Sequence, residues 1–217
     1  MNQRENRNTV RALLERAGTS YATQAGIHLS DKPAPLYQLL MLAQLLSHRI
    51  SADIAVNAAR ELLAAGYTTP RHVADAEWAD LVATLGRAHF VRYDESTATR
   101  LIANAADLLA HRSGDMRALA TESGHDPARL AALLQQFEGI GPVGADIYLR
   151  EVQDTWTWIR PHFDERARRG AAELSLPTDP AALDRLNPTR RDADLAAALV
   201  RVTLDHSLLD EVLAAIG

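Results

Sequence analysis

The chain has 217 residues, 47% hydrophobic and 24% charged, with a net charge of −5. That is enough chain to bury a proper core, in one domain or two small lobes. It contains no cysteine, which excludes disulfides, thiolate zinc sites, iron–sulfur clusters and cysteine nucleophiles. The acidic balance gives no general support to a nucleic-acid partner. Two stretches are nonetheless locally basic, "RPHFDERARRGA" (160–171) and "RLNPTRRDAD" (185–194), and Lys32 is the only lysine.

Read in chain order, the pattern is helical. The first residues, "MNQRENRNTVRALLERAG", lack a signal-peptide core. No apolar run approaches the ~20 residues of a membrane span. A cytoplasmic location and no membrane partner are expected. "TVRALLERA" (9–17) and "LYQLLMLAQLLSHRI" (36–50) have helical spacing, the second so densely apolar that it predicts a buried central helix. "SADIAVNAARELLAAG" (51–66) starts on a Ser cap and ends at glycine. Further helices are predicted within 68–86, over 93–114, over 125–137 behind the Asp126–Pro127 cap, over 143–156, and from about 163. A Pro-punctuated loop (176–191) leads to a last helix, 192–205. No segment alternates with period two, so the fold class is all-α.

One stretch breaks the pattern. "QQFEGIGPVGADIYL" (135–149) places Gly139, Gly141 and Gly144 within six positions, where each would cost a helix interior about 1 kcal/mol relative to Ala. The spacing predicts a helix, a glycine hairpin, and a second helix opening at Pro142. Backbone N–H groups at such a helix start form an anion site. A DNA phosphate suits it, because the contact fixes register without reading sequence. The plain alternative is an αα-hairpin whose glycines only let two helices pack closely.

"FEGIGPVGAD" resembles the helix–hairpin–helix of the DNA glycosylase superfamily that includes endonuclease III. Other segments extend the likeness over about residues 30–172. "LYQLLMLAQLLSHRISADIAVNAARELL" (36–63) is similar to the family's helix pair, and "YDESTATRLIANAADLL" (93–109) to the helix after its second DNA-probing loop. "FDERARRGA" (163–171) is similar to the segment carrying the catalytic aspartate, which maps onto Asp164. The resemblance implies a two-lobed fold: a six-helix barrel over 33–154, and a second lobe from 1–32 and 155–217. It also implies double-stranded DNA as partner, with Gly139, Gly141, Val143 and Gly144 on phosphates and Arg49 or Ile50 as the wedge beside the target base. No cofactor is required by it. A monovalent cation, potassium or sodium, is implied on the carbonyls of Gln135, Phe137 and Ile140. The four-cysteine cluster loop of many members is missing, and Glu138 stands where the family usually has proline. A monomer is expected.

The chemistry at Asp164 follows from its type. N-glycosidic cleavage passes through an oxocarbenium-like sugar, which a nearby carboxylate stabilises, and the same group can activate water. The alternative is a plain helix cap. On either view Asp164→Asn is expected to leave stability nearly unchanged. Members that also nick DNA use a lysine where this chain has Val143. Val cannot form the Schiff base, so base excision by water without lyase chemistry is expected. The rival is a catalytically silent relative that keeps the fold to bind DNA or protein. Weaker candidates are His89, Phe90 and Tyr93, exposed or facing a pocket, and a convergence of His48, His89 and His162 on a metal, for which no ligand spacing exists. The tryptophans around 156–158 are expected to pack rather than to bind.

Overall fold

The computed structural model describes residues 3–215. In chain order its helices are α1 (Gln3–Ala17), α2 (Tyr21–Gln24), α3 (Pro33–Leu46), α4 (Ala52–Ala64), α5 (Pro70–Ala74), α6 (Trp78–Arg87) and α7 (Asp94–Arg112). There follow α8 (Arg117–Glu122), α9 (Pro127–Leu134), α10 (Pro142–Val152), a 3-10 turn (Thr157–Ile159), α11 (Glu165–Glu173), α12 (Pro180–Leu186), α13 (Asp192–Val202) and α14 (His206–Ala214). No strand occurs among the described residues. None of the described helices is long and apolar enough to cross a membrane. The chain forms two compact units, residues 22–149 and residues 1–21 with 150–217; the sequence placed these boundaries near 32/33 and 154/155.

In the unit of residues 22–149, α3 is the central helix. Leu36, Leu39, Leu40, Leu42 and Leu45 point in several directions around it, and all are buried. It ends at Leu46, four residues before the predicted end. Ser47 turns back on the last turn, its Oγ donating to the Gln44 carbonyl at 2.7 Å and its N–H to Ala43 and Gln44. Residues 47–50 are thereby freed as a loop. Ser51 then caps α4, accepting from Ile54 N–H at 3.3 Å, and Asp126 caps α9, accepting from Arg129 N–H at 2.9 Å.

In the unit of residues 1–21 and 150–217, α13 is the core. Leu195, Ala196, Ala197, Ala198 and Leu199 are fully buried, packed among α1, α11 and α14. Gly170 lets α11 approach α13 closely: a Cβ there would lie 1.9 Å from the Leu199 carbonyl oxygen. Asp154 caps α13 from a distance, its carboxylate accepting from the N–H groups of Asp192 and Ala193 at 3.0 and 3.2 Å. The loop predicted over 176–191 is only partly a loop. Asp179 accepts from Ala182 N–H at 2.9 Å with Pro180 at the first helical position, and α12 follows. This is the same Asp–Pro start signal as at 126–127. Beyond the last predicted helix, Asp205 caps α14.

Candidate nucleic-acid interface and carboxylate site

The hairpin between α9 and α10 holds its three glycines for three different reasons. Gly139 has φ +79°, a left-handed conformation that other residues reach only with strain. Gly144 is a packing glycine, since a Cβ there would sit 3.3 Å from Ile140 Cγ2 and 3.6 Å from Ser47 Cβ. Gly141 has neither reason. Its φ is not positive, and a Cβ there would meet nothing within 4 Å. The N–H groups of Gly141, Val143 and Gly144 find no backbone acceptor, as expected for the first turn of a helix. Val143 is exposed at 52% beside them.

A buried side chain that the sequence reading missed holds this loop. Asn104 of α7 donates from Nδ2 to the Glu138 carbonyl at 2.9 Å and accepts from Glu138 N–H on Oδ1 at 2.7 Å. The same Nδ2 lies 3.2 Å from Gln44 Oε1 on α3. A buried amide that pairs with both backbone polar groups of one residue fixes that residue's orientation. The signal was an Asn at 104 between apolar Leu101, Ala105 and Leu108, all buried in the fold. Glu138 itself is exposed. Of the three carbonyls implied for a monovalent cation, that of Phe137 accepts Ile140 N–H at 3.1 Å, while those of Gln135 and Ile140 accept no backbone hydrogen bond. Backbone carbonyl oxygens are the donor type that a hard cation takes.

Two loops lie at the same end of this unit. In the first, Arg49 is exposed and Ile50 half-buried, and Ser47 Oγ lies 3.5 Å from the Gly139 carbonyl. His48 stacks on Tyr93 of the second loop at 4.7 Å and places Nε2 3.3 Å from Thr97 Oγ1. Burial and then the nearby Arg100 lower the His48 pKa, favouring the neutral ring. Phe90 is neither exposed nor pocket-facing, contrary to expectation: it is fully buried, edge-on to His48 at 5.5 Å. The exposed apolar side chain of that loop is Val91, at 64%. His89 is exposed with φ +61°. No group of three or more His, Cys, Asp or Glu among the described residues is placed to hold a metal, so His48, His89 and His162 do not converge on one.

Asp164 belongs to the other unit. It is the N-cap of α11: Oδ1 accepts from Ala167 N–H at 2.9 Å. Its second oxygen pairs with Arg150 Nη1. Both residues are buried, Asp164 at 8% exposure and Arg150 at 3%. Burial alone would raise the Asp164 carboxyl; the Arg150 guanidinium and the Ala167 N–H outweigh it and hold the group below the usual carboxylate value. Arg150 also lies over the Tyr21 ring at 5.6 Å, with Arg201 on the same ring at 4.4 Å. The expectation that Asp164→Asn barely alters stability is therefore corrected, because the sequence does not reveal that a buried cation depends on this carboxylate. Trp156 is buried and stacks on Trp158 at 5.7 Å, a packing role.

No protein-family model matches this chain, and no curated protein matches it. Solved structures do. A non-covalent endonuclease III–DNA complex matches with a TM-score of 0.55 and 14% identity, over 92% of this chain and 85% of that one. A trapped endonuclease III–DNA covalent intermediate, the estranged-adenine complex, matches with a TM-score of 0.51 and 13% identity over the same shares. At that identity the likeness is one of fold. The chain has an all-α, endonuclease III-like fold.

Proposed function

We propose that this protein grips duplex DNA by its hairpin and hydrolyses the N-glycosidic bond of a damaged or mismatched base, leaving the strand intact. The observation that carries the reading is Gly141. Neither backbone conformation nor packing needs a glycine there, whereas a phosphate approaching the amides of Gly141, Val143 and Gly144 does. The endonuclease III-like fold supports the same assignment, its solved counterparts being DNA complexes. A cation on the carbonyls of Gln135, Phe137 and Ile140 would add positive charge behind those amides. In this reading Arg49 or Ile50 fills the gap left by an extruded base.

In the excision step the oxygen of water bonds to the anomeric carbon as the base leaves with the bonding pair and a proton. Asp164 is the carboxylate of this reading. Its lowered pKa keeps it ionised at neutral pH, and the cap on α11 holds it rigid, as stabilisation of a cationic sugar demands. Val143 puts no amine near the hairpin, so no covalent lyase intermediate forms.

One observation favours a second reading, DNA binding without excision. Both Asp164 oxygens are engaged, and Arg150 neutralises the charge that the sugar would need. Duplexes carrying single lesions and mismatches, developed with alkali to reveal abasic sites, separate the two. The first reading expects alkali-labile sites on at least one duplex, no break before alkali, and no borohydride-trapped adduct with an abasic duplex. Binding with no excision on any duplex leaves the second reading, and no binding at low salt overturns both.

A further inference from the structure

Several arginines sit against carboxylates, among them Arg87 on Glu61, Arg112 on Asp107 and Glu122, Arg117 on Asp115, Arg160 on Asp184 and Asp192, and Arg191 on Asp194. Arg7, Arg11, Arg185 and Arg190 make no such pair, and together they surround one open cavity of about 340 Å³ in the unit of residues 1–21 and 150–217. Arg7 and Arg11 come from one face of α1, four residues apart, while Arg185 lies in the last turn of α12 and Arg190 stands before α13. All four are exposed, and none is engaged by a carboxylate among the described residues. The acid nearest in sequence, Asp184, is committed to Arg160 at 3.1 Å. Glu15 lies with Arg11 and Arg16 in a neighbouring cavity.

The rim is built rather than loose. Asn187 is buried, donates to Asp192 Oδ1 at 2.9 Å, and accepts from both the N–H and the hydroxyl of Thr189 at 3.1 and 2.8 Å. Thr189 Oγ1 in turn accepts from Arg191 N–H at 3.2 Å. Between them Arg190 takes φ +58°, a left-handed conformation that a non-glycine residue keeps only when its surroundings impose it. Like charges converging on one concavity without counter-charges repel one another, and a solvated surface would disperse them. Guanidinium forks match phosphate oxygens bidentately, and the cavity is of small-ligand size. Only Leu186 and Pro188 are apolar in its lining, which fits a compact, highly charged ligand.

We propose that Arg7, Arg11, Arg185 and Arg190 form a binding site for a phosphate-bearing anion with two or more negative charges. The site is separate from the hairpin and does not rest on the function proposed above. Isothermal titration calorimetry of the full chain with inorganic pyrophosphate and tripolyphosphate tests it, alongside a parallel titration with a duplex oligonucleotide. Saturable pyrophosphate or tripolyphosphate binding is expected, weakened at least about tenfold by Arg7→Gln with Arg185→Gln. Gly141→Val should leave it intact. The thermal midpoint of the double variant should match the wild type, because both side chains are exposed. If neither small anion binds and duplex affinity alone falls in the double variant, the phosphate recognised is that of nucleic acid. If both small anions and the duplex behave alike toward wild type and double variant, the site does not exist.

Discussion

Arg150 is buried with its guanidinium on Asp164, so a change at either residue acts on folding before it acts on chemistry. Asp164→Asn leaves Arg150 only Glu151, 3.6 Å away, as counter-charge, and should cost up to about 3–5 kcal/mol, read as a fall in thermal midpoint. Because Glu151, also buried, lies 3.6 Å from the same guanidinium, Arg150→Met with Asp164→Asn and Glu151→Gln removes all three charges at similar volume and should restore most of that loss. Excision measured in this triple variant then isolates the chemistry. Loss of excision with retained DNA binding supports a catalytic Asp164, and wild-type excision reduces it to a structural cap. The pair also sets a pH limit. A carboxyl held below its ordinary value of 3.8 stabilises the fold at every pH above that value, and the contribution is lost as pH falls through the folded pKa. The wild type should therefore lose stability relative to the triple variant only below about pH 4. At the hairpin, Gly141→Val should leave the thermal midpoint near the wild-type value, because its Cβ meets nothing. It should weaken binding to all duplexes alike, since phosphate contacts carry no sequence preference. Weakening confined to one lesion would contradict the phosphate reading.

Among the elements, α11 and α13 are the pair most sensitive to a single atom. In an exposed helix Gly→Ala gains about 1 kcal/mol of propensity. At Gly170 the added carbon would stand 1.9 Å from the Leu199 carbonyl oxygen, a backbone atom that cannot rotate away. The clash exceeds the propensity gain, and Gly170→Ala should destabilise by about 1–3 kcal/mol net, measured by denaturant titration. A stabilised Gly170→Ala variant would mean that the two helices do not approach this closely. The hairpin shows a related dependence. Asn104 reaches the Glu138 peptide from α7, 34 positions away in sequence. Sequence reading locates the hairpin from its glycines but not this anchor, because an Asn in a helix has no local mark distinguishing a surface residue from a clamp. Loop 88–93 shows the same limit: Phe90 and Val91 are adjacent and both apolar, yet one is core and the other exposed.

For the whole molecule, a net charge of −5 opposes a polyanion at long range, so the proposed DNA binding has to come from local groups. Affinity for duplex should fall steeply as salt is raised, the slope counting the phosphates neutralised. Affinity indifferent to salt would favour a protein partner instead. The sequence by itself determined the all-α class, most helix starts, the position of the hairpin, and the absence of thiolate chemistry and of a lysine at position 143. These follow from local rules of periodicity, capping, residue type and spacing, which act over a few residues. Only the tertiary structure decided that Gly139 serves conformation, Gly144 packing and Gly141 neither. It also decided that Asp164 shares its charge with Arg150 and that four distant arginines meet at one cavity. Those outcomes depend on which atoms from separate helices come within a few ångströms, a distance that no local pattern encodes.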